Sequence, residues 1–351
     1  MIQVISNSRK FEIKQSVLSV LNHTQIASVP VKIGSIIRSY ANIKLFTYSS
    51  QIKKKKLTYD YLIEISETKD SFAVFCRSRN RYAIYYNDID KNIRKSNRMY
   101  WNLAHELGHI ILLHHHKCNK EKLFRRNIDD YTYNYLEYEA DYFAQLLLVP
   151  HVVLAVFKIE KYTDIRTLCK ISDQAANHRM IDFNIWKKHF DIDNITDRYD
   201  LAIFRFYYQF MFKRKCKNCN CEIVQRTGIY CIICGSPNTL QHGGDLKMIY
   251  PSLNTYDNGK LHECPKCHNE LTNLEGNYCQ ICGTYLVNEC TSCHLMLPSN
   301  ARFCNMCGNH SIFFTSSILK PWDYNENNVS LPYEEEEFPF SPGTDIELPF
   351  Q

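Results

Sequence analysis

The chain has 351 residues, of which 45% are hydrophobic and 23% charged, and it carries a formal net charge of +5. This composition excludes a fibrous or largely disordered chain and supplies enough apolar surface for more than one domain. The amino terminus, MIQVISNSRKFEIKQ, lacks the basic start and apolar run of an export signal, and the longest apolar run, residues 146–157, is broken by Pro150 and His151. A soluble, cytoplasmic protein without membrane contact is therefore expected.

Residues 11–22 and 30–41 have helical apolar spacing, with Pro30 in the first turn of the second helix. IKLFTYSS (43–50) reads as a strand and the KKKK run at 53–56 as a solvated loop beside it. DYLIEISE, SFAVFCRS and RYAIYYND (60–67, 71–78, 81–88) are rich in β-branched and aromatic residues and predict a small antiparallel meander. A helix is expected from Asn97, its cap, to His116, and a second from Tyr133 to Val149, stopped by Pro150. Residues 163–190 predict a helix, a turn at 170–172 and another helix entered at Ser172; an aromatic amphipathic helix at 198–213 closes the domain.

The chemistry concentrates in RMYWNLAHELGHIILLHHH (98–116), which places five histidines and a glutamate on one apolar stretch. His105 and His109 are four apart and share a helical face, so both can hold one zinc ion, with Glu106 beside the open position as general base. A catalytic zinc commonly takes three protein ligands and leaves the fourth position to water. His115 has the spacing of the third histidine of metzincins, but that pattern turns the chain back at a glycine, and here position 112 is Leu112. His115 is expected to stay on the helix and point away, and His114 to His116 read as the polar end of the helix. LEYEADYFAQLLLVP supplies carboxylates instead. Glu137 and Asp141 share a face, giving Glu137 as third ligand and Asp141 as acceptor for the N–H of a ligand histidine. Glu139 lies about 200° around the helix and is not expected to share that role. Tyr131, Tyr133, Tyr135 and His178 are candidates for stabilising an oxyanion.

AHELGHIILLHH, followed by EYEADYFAQLLLVP, resembles the ImmA/IrrE family of zinc metallopeptidases, and LCKISDQAANHRM resembles the helix pair that often follows in that family. The resemblance covers residues 25–190. It implies an α+β, zincin-like domain and a cytosolic endopeptidase that cuts one or a few partner proteins, often helix-turn-helix repressors. The HHH run, Asp141 where asparagine is frequent, and a cysteine-rich carboxy-terminal region depart from the family pattern.

Twelve of the sixteen cysteines form the C-x-x-C pairs Cys216/Cys219, Cys231/Cys234, Cys264/Cys267, Cys279/Cys282, Cys290/Cys293 and Cys304/Cys307. The second pairs repeat as YCIICG, YCQICG and FCNMCG, and four thiolates close a structural zinc site. Three zinc ribbons follow at 214–240, 262–285 and 286–312, after a peptidase domain at 1–213, with 241–261 as linker. Cys221 is left over, either as a spare thiol or as a competitor of Cys219 for the metal. Residues 318–351 carry one lysine and eight acids, leaving +12 for the remainder, and read as a disordered acidic tail. The basic remainder, including Lys213, Arg214, Lys215, Lys217, Arg226, Lys247 and Lys260, permits nucleic-acid contact. Its basic and aromatic residues are not interleaved, however, so the ribbons read better as a dock for the protein substrate.

Four zinc ions are thus expected, one catalytic and three structural. The rival reading is a DNA-associated regulator with a vestigial zinc site, against which intact Glu106 speaks.

Overall fold

The computed structural model describes residues 5–92, 97–123, 127–245 and 249–324, and it divides into two compact units, 1–213 and 214–351. In the first, the Ser6 hydroxyl accepts the Arg9 N–H and starts α1 (Asn7–Thr24), which buries Ile13, Val17, Val20 and Leu21 along one stripe. α2 (Ile33–Ser39) leads into β1 (Ile43–Thr47), which is shorter than the expected strand because the Thr47 hydroxyl accepts the Ser50 N–H and caps α3 (Tyr48–Lys55). The lysine run is therefore the exposed end of a helix rather than a loop, with positive charge at the negative pole of the helix dipole.

DYLIEISE is likewise not a strand. Thr58 caps α4 (Tyr59–Ser66), and Leu62 and Ser66, four apart, are its buried residues. β2 (Ser71–Cys76) and β3 (Arg81–Tyr86) form an antiparallel hairpin, as expected, but β1 joins β3 in parallel, giving the order β1-β3-β2. The meander is thus corrected to a mixed sheet. The α3–α4 crossover carries the chain over the sheet, so β1 arrives beside β3 running the same way.

Asn97 precedes α5 (Arg98–Ile111), yet its side chain makes no cap hydrogen bond. α5 packs on α7 (Asp130–Leu148). At Gly108 a Cβ would lie 3.2 Å from the Ala140 backbone and 3.1 Å from Phe143, so this glycine lets the two helices approach closely. α5 does not continue to His116. Leu113 takes a left-handed conformation (φ 59°), and the chain re-enters a single helical turn, α6 (His114–Lys117). Asp129 caps α7 and Pro150 introduces α8 (His151–Val156). Residues Asp130–Val156 are long and apolar enough to cross a membrane by length and composition, but 61% of their 18-residue apolar window is buried inside the fold. α9 (Tyr162–Cys169) and α10 (Asp173–Lys187) are joined through left-handed Lys170 and the Ser172 cap, and α11 (Arg198–Phe212) buries Tyr199, Ile203, Tyr207 and Met211 at four-residue spacing.

The second unit is built on cysteine knuckles. β4 (Lys213–Cys216), β5 (Glu222–Val224) and β6 (Leu240–His242) form a sheet in the order β5-β4-β6. Gly235, Gly283 and Gly308, each after the second C-x-x-C of a repeat, take positive φ (72°, 73° and 77°) and donate back to the carbonyls of Cys231, Cys279 and Cys304. The first and third ribbons share one core, in which Cys216, Ile223 and Ile233 pack with Cys290, Leu297 and Ala301, while the second has its own small core of Cys264, Cys279 and Leu286.

Two expectations for this unit change. The stretch 241–261 is not a free linker where described, since the Tyr250 and Leu253 carbonyls accept from Asn300 and Ser299 of the third ribbon. Ile318 and Leu319 donate to the Phe313 carbonyl after α12 (Ile312–Thr315), and the Trp322 carbonyl accepts from Tyr250, so the chain through Tyr324 is packed structure; the rest of the expected tail, 325–351, lies outside the described residues.

Candidate metal centre

α5 and α7 bring three donor atoms together. His105 Nε2 and His109 Nε2 are 3.0 Å apart, and the Glu137 carboxylate lies 3.2 Å from the first and 3.3 Å from the second. Two ligands on a tetrahedral zinc with bonds of about 2.0–2.1 Å stand roughly 3.3 Å apart, so the donor set fits that ion. Burial opposes the ionisation of Glu137, but hydrogen bonds from both histidines hold its carboxyl well below the usual range. Glu106 sits beside this trio, 8% exposed, and accepts a 3.0 Å hydrogen bond from Ser71 on β2. Burial raises its pKa, against the pull of His109, His105 and Ser71. All four residues line a cleft of about 550 Å³, walled by Ser71 and Ala73 of the sheet and by Trp101 and Tyr133. Of the four expected oxyanion candidates, only Tyr133 lines it.

The outer contacts differ for the two histidines. His105 Nδ1 lies 2.9 Å from Asp141, which also accepts from Trp101 Nε1 at 3.3 Å. His109 Nδ1 instead lies 2.8 Å from His114 Nδ1, and His114 Nε2 is 2.9 Å from Glu139. Arg9 of α1 closes the chain by donating Nε and Nη2 to the two Glu139 oxygens at 2.5 and 2.6 Å.

Two expectations fail here for one reason. His114 and His115 are not a polar helix end but are 0% and 1% exposed, and Glu139 does reach the histidine pair, through His114. The left-handed turn at Leu113 drives His114 and His115 inward after α5 stops. His115 lines the cleft without joining the donor trio and packs edge-on against Tyr82. Burial pushes the His114 imidazole down to about 3, leaving it neutral at ordinary pH. Arg9, Ser71, His114 and Glu139 were not legible as site residues. Only the HHH run hinted at them, and nothing local marks Arg9, 130 positions from Glu139.

In the second unit the thiols pair across each ribbon, first with fourth and second with third. The separations are 3.7 and 3.9 Å in the first ribbon, 3.5 and 3.6 Å in the second, and 3.4 and 3.7 Å in the third. Zinc–thiolate bonds of about 2.3 Å imply roughly 3.8 Å between sulfurs, so the second and third sets fit a zinc ion, whereas in the first the four sulfurs within 4.8 Å of one another are those of Cys216, Cys219, Cys221 and Cys231, with Cys221 in the place expected for Cys234. Cys221, 1% exposed, stands 3.4 Å from Cys231. Lys260 does not belong to a basic surface. It is buried and donates to the carbonyls of Leu274 and Gly276, while Lys247 lies outside the described residues.

Two helical histidines and a carboxylate around a cleft, with a second carboxylate beside them, define a metallopeptidase-type hydrolase of zincin-like α+β fold. Residues 62–180 match the family model of the IrrE N-terminal-like domain, a peptidase family, and residues 264–308 match that of the double zinc ribbon. Over residues 62–180 the chain is thus similar to the ImmA/IrrE peptidases, and zinc ribbons follow that domain in sequence. No curated protein matches it.

Proposed function

We propose that the protein is a zinc-dependent endopeptidase that cuts a specific partner protein of the helix-turn-helix repressor class. The observation that carries this reading is the placing of Glu106 beside the His105, His109 and Glu137 donors. A zinc ion held there would supply Lewis acidity and a water acidified towards neutral pH. Glu106 then takes the water proton and delivers it to the leaving amine, and the Ser71 hydroxyl fixes one of its oxygens while the other stays available. Asp141 orients His105. Tyr133, which lines the cleft, would supply the donor that stabilises the oxyanion. A vestigial site would have no use for a buried carboxylate held in this way, which favours the enzyme over a DNA-associated regulator.

The twelve paired cysteines serve as structural zinc ligands in this reading, and the ribbons recruit the substrate. Leu271, Tyr278 and Ile281 of the second ribbon are 74%, 62% and 73% exposed, which supports a protein contact more than a nucleic-acid one. Metal analysis of the purified full chain is expected to find four zinc ions, and three in His105→Ala. Three in both proteins would sink the catalytic-site assignment.

A further inference from the structure

We propose that His114, Glu139 and Arg9 are positioning residues for the metal centre, forming a hydrogen-bond chain, anchored on Glu139, that fixes the tautomer and ring orientation of His109. The inference rests on the reading that His105, His109 and Glu137 hold zinc. If His109 Nε2 faces the ion, its proton resides on Nδ1, and that N–H has one acceptor at 2.8 Å, His114 Nδ1. His114 must then carry its own proton on Nε2, which points at Glu139 Oε2 at 2.9 Å. Glu139 cannot turn away, because Arg9 holds both of its oxygens. The His109 and His114 donors point outward from the metal, and Arg9 donates inward, so both directions end on the buried Glu139 carboxylate.

His105 receives a different brace, the half-exposed Asp141 on the cleft side. The two ligands are thus fixed from opposite sides, one by a carboxylate on the same helix as Glu137 and the other by a relay that ends on α1. The relay exists only because the helix breaks at Leu113. An unbroken helix would carry position 114 away from His109, since residues five apart do not share a face.

The test is zinc affinity of the peptidase site by chelator competition on the full-length protein, with ribbon zinc as the internal control. His114→Phe removes the acceptor and should weaken zinc roughly 10- to 100-fold. His114→Asn places an amide oxygen near the lost Nδ1 and should recover part of that loss, which a mere packing role would not predict. Cobalt substitution should show an altered ligand-field spectrum in the Phe variant and a nearer-native one in the Asn variant. Should His114→Phe fail to fold, Arg9→Met decides, with weakened zinc supporting the relay and unchanged zinc overturning it. Wild-type affinity in His114→Phe, or equal affinities in the Phe and Asn variants, also overturns it. A wild-type protein that binds only ribbon zinc refutes the metal-site reading instead.

A separate observation concerns Cys221. The sulfurs of Cys216, Cys219, Cys221 and Cys231 lie within 4.8 Å of one another, while Cys234 keeps its repeat position 3.7 Å from Cys216. The geometry points to a five-thiol zinc site in the first ribbon, with Cys221 and Cys234 interchangeable as fourth ligand. In the exchange the departing thiolate takes up a proton and the arriving thiol gives one up. Cys221→Ser and Cys234→Ser should each keep the first ribbon's zinc and the double variant should lose it. Cys307→Ser, in a ribbon with no spare thiol, should lose its own. Loss in either single variant, or retention in the double, overturns the exchange, whereas a wild type without zinc in this ribbon refutes the underlying site.

Discussion

Replacing Glu106 by glutamine is expected to leave the zinc content and the fold intact and to lower peptide cleavage roughly 100- to 10,000-fold, the usual worth of a positioned general base. Glutamine is nearly isosteric, and its amide oxygen can still accept the 3.0 Å hydrogen bond from Ser71, so the sheet and helix should not shift. What is lost is the ability to take a proton from water. Because burial already disfavours the charged carboxylate, the neutral amide should be tolerated in the native state at least as well. The measurement compares new protein termini, read by mass spectrometry, in a cell extract treated with wild-type protein or with Glu106→Gln. Termini produced by the wild type and absent with the variant would name the substrate. Equal cleavage by the two proteins would show that another base acts.

The donor trio of His105, His109 and Glu137 and the C-x-x-C repeats were legible because their spacing is short and periodic. His105 and His109 are one helical turn apart, and four carboxylate-bearing or histidine positions follow from helical arithmetic alone. The same arithmetic misplaced Glu139. It lies opposite Glu137 on α7, as reckoned, but it needed no shared face, because the break at Leu113 brought His114 to it. Nothing in the sequence announces that break, since leucine rarely takes positive φ and the strain is carried by burial of the two histidines after it. The strand reading of DYLIEISE failed by a different route. Its branched residues fit either period, and the Thr58 cap together with the four-residue spacing of Leu62 and Ser66 decided for the helix. Pairing between ribbons was out of reach as well, because three similar repeats give no hint of which two share a core.

That pairing leads to the largest expected effect on stability. Each structural zinc contributes about 10–16 kcal/mol in finger-sized folds, far more than the few apolar side chains in a ribbon can supply. Cys304 is a thiol of the third ribbon and also a member of the core shared with the first, where the Arg302 and Phe303 N–H groups donate to the Ile232 carbonyl at 2.8 and 3.1 Å. Gly228 and Gly308 reinforce the contact. A Cβ on the first would meet the Asn305 carbonyl at 2.1 Å, and one on the second would meet the Tyr230 ring at 2.8 Å, both at positive φ. Cys304→Ser should therefore unfold the third ribbon and strip the first of half its core, while the second ribbon, with its own Cys264, Cys279 and Leu286 core, stays folded. Hydrogen exchange on the full chain reads this directly. Protection should vanish in 288–319 and fall in 214–240 but persist in 262–286, where the Leu286 N–H donates to the Asn277 carbonyl. If the first ribbon kept wild-type protection, its zinc alone would sustain it and the shared core would contribute little. Equal loss across all three would mean that the second ribbon depends on the others as well, against the separation of the two cores.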